Sequence, residues 1–467
     1  MGTASLFALN PNALLSAFGL WRGPDATVPT PAERWQDAVV DVVIHANCQQ
    51  HNIVYCLASL LRQSLRPRQI ILADDDGFER DHTVQIAREF ANANGMTLRV
   101  VERTWSTGKT PTVKWQSREL DGDVAFVLDA DTLLESPTYL ERCVRELYQG
   151  VGIASACGVV LPMRARDRRL WAAMPEFRRW VRDDEYRDPL LRRDSLHRFL
   201  WWLGNSYRES VCAFQQGFIN RGQMALLGGI VHPQGGAVAY RRRYLKDVFD
   251  RYEPVYGDDL TAAPDLFIGF ALGNVGYRNI QLHDVQARSV GPEIQQVPHL
   301  AQRSTIAFLQ SCRDFDSLLS TPLKSPQRWW RQWRERGRIQ ATDGRDLRKV
   351  HEAYRQPFGE RLTRQQGRPI GWAVFFAAVE KIVFPLLLMA LAATAQWIAL
   401  LLLVAVECVL TLGLLLAVTP GAHLPTLVRG LLATPVRYGL MFVDLFTVVR
   451  FMVRRPVRGE RKRGRRS

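Results

Sequence analysis

Cysteine and histidine are scarce in this chain, with seven and nine among 467 residues. Cys48, Cys56, Cys143, Cys157, Cys212, Cys312 and Cys408 show neither paired spacing nor a metal-ligand pattern. A disulfide scaffold and a zinc module are therefore excluded, and reduced thiols in a cytosolic domain are expected. No basic stretch precedes the apolar residues 4–20, and Asn10-Pro11-Asn12 interrupts them. A cleaved signal is not expected there; a short helix, lying on a membrane or packed on the domain, is. Acids are also in deficit, 46 against 61 Lys+Arg, for a net charge of +15. No zinc-finger, helix-turn-helix or RNA-binding signature accompanies that excess, so a nucleic-acid partner is not expected.

The positive charge is unevenly placed. Residues 454–466 hold eight Arg/Lys and one acid, and residues 324–364 hold twelve against five. Both runs flank an apolar region, which points to anionic lipid on a cytoplasmic face. From Ile382 to Val418 only Gln396 and Glu407 are strongly polar. As helix those residues would reach about 55 Å, nearly twice a hydrocarbon core of about 30 Å. A hairpin turning near 396–400 is expected, with the first helix starting before Lys381. Tyr438 to Val453, with Asp444 and Arg450, is short for a span and fits a re-entrant or interfacial helix or a third crossing. The basic tail favours an even number of crossings. The expectation is an integral protein of the plasma (inner) membrane, with the domain upstream of the apolar region and the tail cytoplasmic.

Upstream, residues 38–161 alternate strand and helix. Strands are predicted near 39–46, 68–74, 97–102, 124–129 and 152–161, and helices near 52–63, 81–93, 109–120 and 137–148. That pattern predicts an α/β domain with a mostly parallel sheet and helices on both faces. Residues 163–215 break it: they have helical period, many arginines, and Trp171, Trp180, Trp201 and Trp202. Such an insertion fits a cover for the sheet edge or a surface against a bilayer. The expected organisation is an N-terminal interfacial segment 1–37, the α/β domain 38–335, a linker 336–381, a transmembrane or re-entrant region 382–453 and a basic tail 454–467.

Three acidic clusters follow in order: Asp74-Asp75-Asp76-Gly77, Asp129-Ala130-Asp131 and Gly257-Asp258-Asp259. The first two close apolar runs, and carboxylates at the carboxyl ends of such strands face the crevice where open α/β sheets bind ligands. A pair one residue apart offers hard oxygen ligands to Mg²⁺ or Mn²⁺. A single such cluster is more often a turn or a helix cap.

With Asp41-Val42-Val43-Ile44-His45-Ala46-Asn47, Gly108-Lys109, Asp123 and Tyr240-Arg241-Arg242 in order between and around them, the clusters resemble a family 2 glycosyltransferase of GT-A fold. The Gly-Asp-Asp form most resembles the hyaluronan, chitin and cellulose synthase branch. The resemblance covers roughly residues 38–335 and implies a UDP-sugar donor. It implies that Asp75 and Asp76 meet the nucleotide, that Asp129 and Asp131 hold Mg²⁺ or Mn²⁺, and that Lys109 adds a positive contact to the donor. Asp259 would be the base and Asp258 its neighbour. Phe78 stands where the family has a small residue. The branch's Gln-x-x-Arg-Trp motif is imperfect: Arg328-Trp329 matches its last step, but Ser325 stands in the Gln position. Arg328 would contact the diphosphate, and Trp329 and Trp333 the acceptor, a growing polysaccharide or, in the alternative of a polyprenyl-phosphate glycosyltransferase that makes a lipid-linked sugar, a lipid acceptor. Two or three helices are few for a sealed export channel without partners or self-association as a homo-oligomer.

Overall fold

The computed structural model describes residues 6–23, 34–75, 81–103, 108–150, 152–181, 188, 194–256, 263–323, 326, 330, 369–419, 421 and 423–453. Helix α1 (Pro11–Arg22) begins where the Asn-Pro-Asn sequence interrupts the apolar run. Asn10 is its N-cap residue and Pro11 opens its first turn, where a missing N–H costs nothing.

The apolar runs of the first half become β1 (Val40–Ala46), β2 (Gln69–Asp74), β3 (Leu98–Glu102) and β4 (Val124–Asp129). They pair in parallel in the order β3-β2-β1-β4. Between them run α2 (Ile53–Leu61), α3 (Thr83–Ala93) and α4 (Lys109–Glu119). Val42, Val43 and Ile44 are fully buried, which is why β1 reads as an unbroken apolar run rather than an alternating one. Its amino end is pinned by Asp41, which accepts hydrogen bonds from Arg68 Nε (2.9 Å) and Nη2 (2.6 Å), Gln69 (3.0 Å) and the Gly122 N–H (3.1 Å).

The second half departs from the expected parallel pattern. It comprises β5 (Thr132–Leu134), α5 (Tyr139–Gln149), β6 (Ile153–Pro162), α6 (Ala165–Ala172), α7 (Pro175–Trp180), α8 (Ser195–Cys212), α9 (Arg221–Leu227), β7 (Ala237–Arg241), α10 (Arg242–Tyr256), α11 (Pro264–Val275) and β8 (Arg278–Ser289). A π-helical stretch, Ala213–Asn220, joins α8 to α9. The sheet is mixed, in the order β3-β2-β1-β4-β7-β6-β8-β5: β7 is antiparallel to β4 and β6, β8 is parallel to β6, and β5 is antiparallel to β8. The sequence pattern missed β5, β7 and β8. β8 carries Asn279 and Gln281, polar residues that disguise a buried strand. Both are satisfied by side chains far away: Asn279 Oδ1 accepts from Ser155 (2.7 Å), and Gln281 exchanges bonds with Asn220 (2.8 Å) and Gln216 (2.8 Å).

After α12 (Val297–Asp314) and α13 (Asp316–Leu319) come three long helices, α14 (Ile370–Ala393), α15 (Trp397–Val418) and α16 (His423–Val453). At 24 and 22 residues, α14 and α15 run about 36 and 33 Å and are apolar and long enough to cross a membrane. Their turn, at 394–396, falls at the edge of the expected one, and α14 begins upstream of Lys381 as expected. The stretch 438–453 is the second half of one 31-residue helix, α16. Two ion pairs tie these helices together. Glu407 of α15 takes a bidentate pair from Arg437 of α16 (2.8 and 2.6 Å) and a bond from Tyr438 (2.8 Å). The chain preceding α1 enters this cluster: Arg437 donates to the Leu6 carbonyl (2.9 Å), the Ala8 N–H reaches Glu407 (3.3 Å), and Phe7 packs between Phe384 and Tyr438. Lys381 of α14 pairs with Asp444 of α16 (2.8 Å).

Candidate active site

From β1 the chain passes to β2 on one side, while β4 flanks β1 on the other, so the sheet has a switch point at the carboxyl ends of β1 and β4. A cavity of about 300 Å³ opens there, lined among others by His45, Asn47, Asp75, Lys109, Asp129 and Asp131. Asp129 ends β4 directly beside His45 of β1, and Asp131 follows one turn residue later.

Lys109 is the centre of the charge arrangement. Its Nζ lies 2.8 Å from Asp129 Oδ1 and 3.3 Å from Asp265, and it donates to the Gly235 carbonyl at 2.7 Å. An ammonium has three N–H donors, and all three are used within the protein. Lys109 therefore stands as counter-ion to two carboxylates. Burial disfavours its charge, but Asp129 and Asp265 outweigh that and hold its pKa well above the usual range. A Cβ at Gly235 would collide with the Asp265 carboxylate, which would have to move.

Asp129 and Asp131 are both pushed up from the ordinary carboxyl range. For Asp129 the largest cause is burial, opposed by Lys109 and reinforced by Asp265 and Asp131. For Asp131 it is again burial, opposed chiefly by Arg208. Two desolvated acids side by side, without enough positive charge, fit a hard divalent cation. Among the described residues no third His, Cys, Asp or Glu joins them in a ligand cluster, so further ligands would be oxygens of water or of a diphosphate.

Asp75, the residue after β2, borders the cavity. Its Oδ2 accepts the Gly108 N–H at 2.6 Å, which fixes the start of α4 and with it Lys109, and Arg103 approaches its other oxygen at 3.5 Å. His45 was not singled out by sequence. Burial first, then Lys109 and Arg103, lower its pKa well below the usual value, so the imidazole is neutral. Its Nε2 is buried and has no partner among the described residues. Asp265, in the first turn of α11, was also missed; only proximity in the chain to Gly257-Asp258-Asp259 hinted at it. Asp75, Lys109, Asp129 and Asp131 thus all line this one cavity. Asp76, Asp258, Asp259, Arg328, Trp329 and Trp333 lie outside the described residues.

Residues 42–249 match the family model described as glycosyl transferase family 2. The domain is that of a nucleotide-sugar-dependent glycosyltransferase. The fold class expected from the sequence holds: a GT-A-type α/β domain followed by apolar C-terminal helices. None of the curated proteins compared with the chain matches it. Among solved structures, a mannosyltransferase from Pyrobaculum calidifontis in complex with GDP-Man and Mn²⁺ is 16% identical, covering 94% of this chain and 95% of its own at a TM-score of 0.47. The glucosyl-3-phosphoglycerate synthase of Mycobacterium tuberculosis, in complex with Mn²⁺, UDP and phosphoglyceric acid, is 13% identical, covering 62% of this chain and 86% of its own at 0.36. The S. aureus protein TarS is 14% identical, covering 58% and 40% at 0.32.

Proposed function

We propose that this glycosyltransferase is membrane-bound and inverting, and that it transfers a sugar from a UDP-sugar to a hydroxyl of a growing polysaccharide. The observation that carries the reading is the Asp129/Asp131 pair at the carboxyl end of β4, opening into the switch-point cavity. Asp129 and Asp131 hold Mg²⁺ or Mn²⁺, which when bound stabilises charge on the departing diphosphate. Asp75 and Asp76 receive the nucleoside, and Lys109 adds a positive contact to the donor. Arg328 contacts the diphosphate. Asp259 accepts the proton of the attacking hydroxyl, with Asp258 tuning it, and direct attack at the anomeric carbon inverts its configuration. Trp329 and Trp333 form the acceptor platform. The hyaluronan, chitin and cellulose synthase branch is the reading that Gly257-Asp258-Asp259 supports.

Helices α14 and α15 support an integral membrane protein, with anionic lipid meeting the basic runs 324–364 and 454–466 on the cytoplasmic side. A polyprenyl-phosphate acceptor, giving a lipid-linked single sugar, is the second reading; Arg164 and Arg429, gathered on Glu209, favour a lipid phosphate near the site. The test is UDP release by detergent-purified protein across a panel of UDP-sugars, with and without EDTA. Metal-dependent release with one donor and a water-soluble polymeric product supports the first reading, and a lipid-extractable single sugar the second. Full turnover in excess EDTA refutes the role of Asp129 and Asp131.

A further inference from the structure

Helix α8 runs from the crevice to the apolar helices. Its Arg208 donates to the carbonyls of Ser289 (3.5 Å), the last residue of β8, and of Val290 (2.8 Å) just after it. The Val290 N–H in turn bonds the Asp131 carbonyl at 3.2 Å, which places Arg208 at the Asp131 end of the crevice. The next residue, Glu209, faces the other way. It receives Arg429 of α16 at 2.7 Å and Arg164, the residue preceding α6, on the same carboxylate oxygen. Two arginines from separate elements therefore share one glutamate. Arg164 Nε is buried and has no partner among the described residues. The neighbouring surface of α16 is apolar: Leu424, Val428, Leu431 and Leu432 are exposed, while Arg429 is turned in toward α8. Tyr207 of α8, packed on Ala433 and Leu440, holds the two helices together.

An excess of guanidinium charge, an apolar strip beside it and a carboxylate-lined crevice behind it match one kind of molecule: an apolar chain ending in a phosphate that carries sugar. We propose that Arg164 and Arg429 hold the phosphate of a lipid-linked saccharide acceptor, its lipid lying along the exposed leucines of α16. Guanidinium forks suit phosphate oxygens better than an ammonium would, and Arg208 continues the positive path toward Asp131. The inference rests on the transferase reading above. In the transfer the saccharide's hydroxyl oxygen bonds the donor's anomeric carbon and its proton passes to Asp259. The bond to the diphosphate breaks, and UDP leaves with the electron pair.

The test uses full-length protein in phosphatidylcholine nanodiscs and a fluorescent polyprenyl diphosphate as probe. Kd is measured for wild type, Arg164→Gln/Arg429→Gln and Arg429→Lys, and UDP binding is measured on the same samples to report the integrity of the crevice. We expect the double variant to weaken probe binding by about tenfold or more, the worth of one or two charge-assisted hydrogen bonds, with a smaller loss for Arg429→Lys. Farnesyl diphosphate should compete, while phosphatidylglycerol at equal mole fraction and inorganic pyrophosphate should not. Equal probe affinity in wild type and double variant, or equal competition by phosphatidylglycerol, overturns the proposal while leaving the transferase intact. Failure of wild type to release UDP from any UDP-sugar would instead overturn the reading on which it rests.

Discussion

Removing the charge of Lys109 tests the electrostatics of the crevice directly. Lys109→Met keeps most of the stem but leaves Asp129 and Asp265 without the ammonium that sits 2.8 and 3.3 Å away. Breaking one side of a fully buried ion pair costs about 3–5 kcal/mol. Here the side chains of Lys109, Asp129 and Asp265 keep 16%, 32% and 25% exposure, so solvent screening reduces that to about 1–3 kcal/mol. For a domain of this size each kcal/mol moves the melting midpoint by roughly 2–4 °C, so the metal-free variant should melt several degrees below wild type. A divalent cation should reverse the order of effects. In wild type it competes with an ammonium for Asp129, whereas in the variant it meets bare carboxylates. Saturation at about 100 times Kd returns about 2.7 kcal/mol to either protein, and the variant reaches it at lower Mn²⁺. The assay is a melting curve against Mn²⁺ at mildly alkaline pH, where protons compete least. An unchanged midpoint without metal, or a variant needing more Mn²⁺ than wild type for the same shift, would refute the assignment of Lys109 as counter-ion.

Three further outcomes are expected. Because burial raises both Asp129 and Asp131, cation binding should weaken as pH falls through a window above the ordinary carboxylate range; titration calorimetry showing constant Mn²⁺ affinity down to that range would contradict it. Asp259→Asn should slow transfer by about 10²–10⁴-fold while UDP binding stays close to wild type, and Asp258→Asn should be milder; equal losses of binding and rate would place the base elsewhere. Glu407→Gln leaves Arg437 uncompensated between α15 and α16 and should lower the melting midpoint by the equivalent of about 3 kcal/mol, whereas Glu407→Leu with Arg437→Met should cost less than Glu407→Gln alone. The reverse ranking, measured by the same melts, would show that the pair is not what holds those helices.

The local sequence decided a good deal. The four parallel strands and their helices were legible because β1, β2 and β4 are buried on both faces and therefore carry continuous apolar runs. The acids at the ends of β2 and β4 could be placed in a crevice from order alone, since a parallel strand must deliver its carboxyl end to the same edge as its neighbour. The α14–α15 hairpin was legible because its apolar run exceeds what one crossing can use. Other features were beyond any local reading. β8 is a buried strand with polar side chains, and nothing near it in sequence reveals the partners, Ser155, Gln216 and Asn220, that satisfy them. Lys109 looked like a free positive contact; its three donors are taken because folding brings Gly235 and Asp265 to it from 126 and 156 residues away. Arg164, Glu209 and Arg429 are unremarkable charges in a chain full of them, and only tertiary packing, of α16 and of the start of α6 against α8, makes them neighbours. Periodicity and burial are short-range properties that the chain writes into itself, whereas a charge acquires its partner only when distant segments meet.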